Sequence, residues 1–339
     1  MNNIKILGAG LMCIDIIHNN NCIKIMNGGS CANVISVLAQ IGFDCSIIRE
    51  RYSDSFETTL SKTLSLLGVK EIVYRNSSAK TPRIIEMLAN SDHKFLTHCP
   101  ICGENLLKLV MPSEQDVDRI RGDISDFNVF YCDRASLGIR TIMDAVREKN
   151  GIVLYEPNSC RNIETLLENT SHADIVKFSR DKVFPSVAER IRTSVKKLKL
   201  IISTEGELGL SFSHIQEDGR MSKWIHISSK FNGPIIDTSG AGDWLTAGFI
   251  SDFISKDKEE LNNKFHNAEV ITAALIKGME YSQLCCAAIG AQGAFYSRES
   301  VGIIPNLNEI SGKLRRIAML GNENFSIKGL CPVCLSKIS

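Results

Sequence analysis

The chain has 339 residues, 44% of them apolar and 23% charged, enough to bury one large core. Its 39 Lys and Arg stand against 38 Asp and Glu, which excludes the broad basic field that holds nucleic acid or an anionic membrane surface. No apolar run is long enough to span a bilayer, so the partners expected are small molecules or protein, a homodimer included.

Met1-Asn2-Asn3-Ile4-Lys5 leads into a strand-like segment without a secretory pattern, and a cytoplasmic location is the expectation. Twelve cysteines in a reducing compartment then read as free thiols or metal ligands rather than structural disulfides.

In chain order, a first strand is predicted over residues 4–7, ending at Gly8-Ala9-Gly10. A helix follows over 30–41, with Val34, Val37, Leu38 and Ile41 at helical spacing between Gly28-Gly29 and Gly42. Further strands are predicted over 45–48, 129–132, 152–155, 175–177 and 200–203, with helices in most intervals between them. Period-two patterns at 84–109 and 212–227 predict antiparallel hairpins at a sheet edge. Strands alternating with helices predict an α/β fold, a central mostly parallel sheet with helices on both faces and a small edge sheet. The pattern loosens after Pro305. We expect one domain over 1–310 and a C-terminal extension over 311–339.

The most informative stretch is Ile235-Ile236-Asp237-Thr238-Ser239-Gly240-Ala241-Gly242-Asp243, followed by an apolar, helix-compatible run. A strand, a glycine turn and a helix put unpaired backbone N–H groups where an anion such as phosphate can sit. The carboxylate just after the turn lies within reach of whatever attacks the phosphorus. The plain alternative is a glycine turn in which Asp243 only caps its helix. A second motif, Gly28-Gly29-Ser30-Cys31-Ala32-Asn33, combines close backbone approach with an amide that both donates and accepts.

The string Asp-Thr-Ser-Gly-Ala-Gly-Asp closely resembles the signature of the ribokinase-like (PfkB) carbohydrate kinase family. The resemblance implies an anion hole at Gly240, Ala241 and Gly242, and Asp243 as the base that deprotonates the acceptor hydroxyl. Gly28, Gly29 and Asn33 look like the family's substrate-binding glycine pair and Asn, and Asp15 matches the carboxylate that binds sugar hydroxyls. Weaker matches extend the likeness over roughly residues 4–305. Glu156-Pro157-Asn158, with Arg161 nearby, resembles a segment facing the active site and implies acceptor contacts from Asn158 and Arg161. Thr204, Gly206 and Gly209 resemble the nucleotide-side turn, and Gly293 lies in what resembles the loop closing over adenine. The same resemblance suggests potassium among Asp237, Ser239, Ala288, Gly293 and Ser297. It implies ATP with Mg2+ as phosphate donor and a sugar-like acceptor, a furanose, a sugar acid or a nucleoside. A vitamin precursor as acceptor, or a catalytically silent binding or scaffold protein, are the rival readings.

The departures from the family are specific. Its Asn-x-x-Glu motif should fall near residues 177–182, where neither residue type is in register, leaving Asp181, phosphate oxygens and water to place the metal. Trp244 stands where the family has a small residue, either narrowing the acceptor pocket or packing in the core. The stretch between Asp15 and Gly28 is short for a large lid.

Cys99-Pro100-Ile101-Cys102 and Cys331-Pro332-Val333-Cys334 form a matched pair of Cys-Pro-x-Cys turns. Two such turns can present four thiolates to one structural Zn2+, within one chain or between two, with disulfides or free thiols as alternatives. Cys285-Cys286 read as core residues.

Overall fold

The computed structural model describes residues 4–19, 22–89, 92–158, 162–296 and Cys331. Its first half runs β1 (Lys5–Ala9), β2 (Cys13–Asn19), β3 (Cys22–Gly28), α1 (Ser30–Ile41), β4 (Asp44–Arg51), α2 (Ser55–Leu66), β5 (Lys70–Asn76), β6 (Arg83–Ala89), β7 (Asp92–Leu96) and α3 (Glu114–Arg119). Then come β8 (Val129–Cys132), α4 (Leu137–Glu148), β9 (Ile152–Tyr155), α5 (Ile163–Thr170), β10 (Ile175–Ser179), α6 (Pro185–Ser194) and β11 (Leu200–Thr204). The chain continues with β12 (Gly209–His214), β13 (Ile225–Ser228), α7 (Ala241–Phe253), α8 (Lys258–His266) and α9 (Ala268–Cys286).

Nine strands form one sheet in the order β13-β12-β11-β10-β9-β8-β1-β4-β5. From β5 to β11 neighbouring strands are parallel, and the hairpin β12–β13 adds two antiparallel strands at one edge. The central strands β1, β8, β9, β10 and β11 are mostly apolar because both faces are covered. Ile6, Tyr131, Leu154, Ile175 and Ile202 point to the core shared with α1, α7 and α9. Their neighbours Leu7, Phe130, Val153, Val176 and Ile201 point to the core shared with α4, α5 and α6. A strand's period of two divides such a run between two helix layers.

Every predicted strand and the hairpin within 212–227 is present. The 84–109 hairpin is β6–β7, and it belongs to a separate four-stranded sheet in the order β3-β2-β6-β7. Half of that sheet, the antiparallel pair β2–β3, comes from the stretch judged too short for a lid. Seven residues per strand suffice because β2 does not stand alone: it pairs in parallel with β6, and buried Ile14, Ile16 and Ile25 join the main core. Strand β5 was also not foreseen. Of the expected extension over 311–339, only Cys331 is among the described residues. No helix among the described residues is long and apolar enough to cross a membrane.

The carboxyl ends of β1, β8, β9, β10 and β11 all open onto one side. In open α/β sheets this is where ligands bind, beside the point at which strand order reverses. Here the reversal lies at β1, which pairs with β4 on one side and β8 on the other.

Candidate active site

A cleft of about 1060 Å³ lies along those strand ends, between the sheet, the start of α7 and the four-stranded sheet. Its lining includes Asp15, Gly29, Asn33, Glu156, Asn158, Lys177, Thr204, Gly206, Gly209 and the whole turn Thr238–Asp243. Residues predicted from two distant motifs and from the middle of the chain therefore meet in one place.

The centre is the start of α7. Gly240 is its N-cap with φ +77°, in the left-handed region, and a Cβ there would lie 2.5 Å from Ala291 Cβ and 2.8 Å from its Cα. Only glycine fits this turn. No side chain caps the helix, whose first N–H groups have no partner within an α-helix. An anion can take them. Asp243 follows in the first turn, buried, and its carboxylate accepts a 2.7 Å hydrogen bond from the Asn33 side-chain amide. Burial and the nearby Glu156 charge push the Asp243 carboxyl up to about 7, against the opposing pull of Asn33 and Lys177. A carboxylate so tuned suits a general base near neutral pH.

Asn33 was expected to bind the acceptor. It lines the cleft, and its amide nitrogen donates to Asp243 while its oxygen accepts from the Gln292 side chain at 3.2 Å, so it also fixes the Asp243 carboxylate in place. Gly28 does not line the cleft. A Cβ on it would fall 1.8 Å from a carboxylate oxygen of Asp15, so the glycine makes room for that carboxylate. Asp15 is buried, accepts from the Cys13 thiol at 3.2 Å, and faces the cleft. Its carboxyl is pushed up to about 7, chiefly by burial and further by Asp243 and Asp237.

From the sequence Lys177 was given no role, and Glu156 entered only as part of a segment that resembles one facing the active site. Lys177, on β10, is almost fully buried and its ammonium donates to Glu156, which also accepts from Tyr131 at 3.2 Å and Thr246 at 3.0 Å. The Lys177 nitrogen lies 3.7 Å from where a Cβ on Gly242 would stand, so a cation sits against the anion-binding turn. A lysine inside an otherwise apolar buried strand was the available signal. Asn158 lines the cleft with its amide toward Asp133, at 3.2 Å from the carboxylate, and accepts from Lys182 at 3.0 Å.

Behind the turn, Asp237 accepts from the backbone N–H groups of Ser239 and Gly290 at 2.9 and 2.8 Å. Ser239 donates its hydroxyl to Glu86 of β6, tying the four-stranded sheet to the glycine turn. Glu86 is pushed up to about 8 by burial, then by the charges of Asp237 and Asp15, with the Ser239 hydrogen bond pulling the other way. Ala288 and Gly293 follow α9, and neither is among the residues that line the cleft. Arg161, Ser297 and Cys334 lie outside the described residues.

One open alternative closes. Trp244 is fully buried, donates its indole N–H to the Ala291 carbonyl at 2.7 Å and packs 5.2 Å from the Phe295 ring; it is a core residue and does not line the cleft. Cys285 and Cys286 are both buried, as expected for core residues; the Cys285 thiol lies 3.1 Å from the Ser239 carbonyl, and Cys286 also borders the cleft. Adjacent helix residues point about 100° apart, which separates them.

The raised carboxyls of Asp15, Glu86 and Asp243, joined by those of Asp133 and Asp174, which burial also raises, predict a pH dependence of stability. Between about pH 4 and 8 the folded protein holds protons that the unfolded chain has released, so stability falls as pH rises through this window. The contribution is complete below the unfolded carboxylate range and is lost as pH passes 7 to 8. Glu86→Gln, which keeps the acceptor for Ser239, is expected to melt higher than wild type at pH 8.5 and to show a shallower decline from pH 5.5 to 8.5. Thermal melts of the ligand-free protein at both pH values check this; parallel slopes for the two proteins would show that Glu86 is ionised in the fold.

No family model matches the chain. Over 280 residues it is 26% identical to a protein from Arabidopsis thaliana named probable fructokinase-6, chloroplastic, a match covering 74% of this chain and 69% of that one. Among solved structures it is similar to fructokinase with bound ATP from Xylella fastidiosa, at TM-score 0.70 and 20% identity over 92% of this chain and 98% of that one. It is also similar to ribokinase from Giardia lamblia, at TM-score 0.69 and 14% identity over 93% and 100% of the two chains. Adenosine kinase from Schistosoma mansoni matches at TM-score 0.67 and 15% identity over 87% and 98%. With its parallel central sheet, flanking helices and small second sheet, the chain has the fold of the ribokinase-like kinases.

Proposed function

We propose that the protein is an ATP-dependent kinase that phosphorylates a hydroxyl of a sugar or sugar-like molecule, with Asp243 as base and the Gly240–Gly242 backbone as anion hole. One observation carries this reading: a buried carboxylate held by Asn33 stands in the first turn of an uncapped helix, with the Lys177 ammonium against the same turn. The named fructokinase relative and the ATP-bound fructokinase of the same fold support it.

In the proposed reaction the acceptor hydroxyl lies between Asp15 and Asp243. Asp243 takes its proton as the new oxygen–phosphorus bond forms and the bond to the ADP oxygen breaks; ADP leaves with that electron pair. The N–H groups at the start of α7, with Lys177 close by, stabilise charge on the transferring phosphoryl group, which needs positioning and neutralisation more than covalent help. Magnesium would supply further neutralisation, held on phosphate oxygens and water, with Asp181 the carboxylate this chain offers at the nucleotide side of the cleft. The nucleotide would lie along Thr204, Gly206 and Gly209, which line the cleft beyond the glycine turn. A monovalent cation beside Asp237 and Ser239 belongs to the same proposal.

A panel of furanose sugars, sugar acids and nucleosides, scored by acceptor-dependent ADP release, tests the reading. One class is expected to stand out. Binding of ATP and an acceptor without any turnover across the panel would favour the silent binding protein instead. Asp15→Ala is expected to raise the acceptor KM about tenfold and leave the ATP KM unchanged, since an unpaired buried hydroxyl costs about 1–3 kcal/mol. Lost ATP affinity in that variant would reverse the two ends of the cleft.

A further inference from the structure

The first Cys-Pro-x-Cys turn follows β7 directly. Cys99 donates its N–H to the Glu104 carbonyl at 2.8 Å, and Gly103 donates back to the Cys99 carbonyl at 2.9 Å with φ +73°. His98 and Asn105 bridge across its base. The backbone N–H groups of Ile101 and Cys102 point at the Cys99 sulfur. This tight loop presents both sulfurs to one side, with the backbone solvating one of them.

Cys331, from the far end of the chain, is buried against that loop. Its sulfur lies 3.5 Å from Cys102 Sγ, and the sulfurs of Cys99, Cys102 and Cys331 all lie within 4.8 Å of one another. The 3.5 Å between the Cys102 and Cys331 sulfurs is well beyond a disulfide bond of about 2.05 Å. A tetrahedral zinc with bonds of about 2.3 Å needs sulfurs about 3.8 Å apart. The observed triangle matches that size. Buried Arg83, at the start of β6, is ion-paired with Asp54 and lies near enough to Cys331 to interact with its sulfur.

The position matters as much as the chemistry. Arg83 donates its backbone N–H to the Leu106 carbonyl at 2.9 Å, and Leu106 donates to the Thr97 carbonyl at 2.8 Å, lacing the two flanks of the loop to β6. Residues on those flanks, Phe95 and Leu107, line the cleft, and Ile84 of β6 is the strand partner of Asp15. The thiol triangle is thus a few residues from the wall that faces Asp15.

We propose that Cys99, Cys102 and Cys331 bind one zinc ion within a single chain, the Cys-x-x-Cys spacing supplying Cys334 as fourth ligand, and that the metal holds the Phe95–Leu107 wall of the cleft in place. A four-thiolate site has no open position, so its role is structural. It adds a cross-link to the burial of Cys331, because closing a loop of this length without one is entropically unfavourable. The effect on the acceptor rests on the kinase reading; zinc binding does not, so the two can fail separately.

The test is elemental analysis of protein purified without chelator, joined to thiol titration. The expected result is one zinc per chain at every protein dilution, released in proportion to thiols modified by a mercurial. Zinc below about 0.1 per chain with all four thiols titrating freely, or a Cys102–Cys331 disulfide in protein alkylated at lysis, overturns the site. Zinc lost on dilution overturns the single-chain arrangement. Cys331→Ser and Cys334→Ser are expected to lose the metal, melt several degrees lower and raise the acceptor KM while the ATP KM holds. Should Cys331→Ser not fold, Cys102→Ser, at an exposed position, gives the same readings. A metal-free variant with unchanged acceptor KM overturns the wall-holding role.

Discussion

Asp243→Asn is expected to lower turnover by about 10²- to 10⁴-fold, the usual cost of removing a general base. The change is nearly isosteric, and an Asn oxygen can still accept from the Asn33 amide, which now donates at 2.7 Å. Acceptor and ATP affinities should therefore hold within a few fold, and only proton removal is lost. Because burial and Glu156 push the Asp243 carboxyl up to about 7, wild-type kcat/KM should fall below about pH 7, approaching tenfold per unit, as the base takes up its proton. The residual activity of the variant should lack that limb. Single-turnover phosphotransfer across pH 5.5 to 8.5 measures both. Near wild-type turnover in the variant would remove Asp243 as the base and with it the proposed reaction.

Lys177→Met is the second large effect. The ammonium is nearly inaccessible and donates to Glu156 while lying against Gly242. Removing one partner of a buried pair strands the other, at about 3–5 kcal/mol. The pairing with Glu156 also shields Asp243, whose carboxyl Lys177 pulls down and Glu156 pushes up. Three readings should move together: a lower melting temperature, an acid limb of kcat/KM shifted upward in pH, and a turnover reduced by about 10², as for loss of one charge-stabilising donor. The double variant Lys177→Met with Glu156→Gln separates the roles. It should recover much of the stability, since no unpaired charge stays buried, and little of the rate. Recovery of both would make the lysine a structural residue with no part in phosphate stabilisation.

Much of the fold was legible because its signals are local. The apolar runs at 129–132, 152–155 and 200–203 could only be strands covered on both faces, and each proved to be. The glycine turn and Asp243 were legible for the same reason, since a helix start with left-handed glycine and no capping side chain is written in consecutive residues. The β2–β3 hairpin was hidden because its strands are stabilised from outside, by pairing with β6 across more than sixty intervening residues of sequence. Lys177 was passed over as a missing motif when it was a buried cation in a central strand.

By itself the sequence determined the alternation of strands and helices, the glycine turn, the carboxylate that follows it and the presence of two thiol pairs, all properties of short windows governed by backbone geometry and spacing. Tertiary structure decided what those residues do to one another. The bond from Asn33 to Asp243 joins positions 210 apart, that from Ser239 to Glu86 joins positions 153 apart, and Cys102 meets Cys331 across 229. Such meetings depend on the order in which strands enter the sheet, which periodicity does not encode, and on burial, which turns the Asp243, Asp15 and Glu86 carboxyls from surface acids into groups that titrate near neutrality.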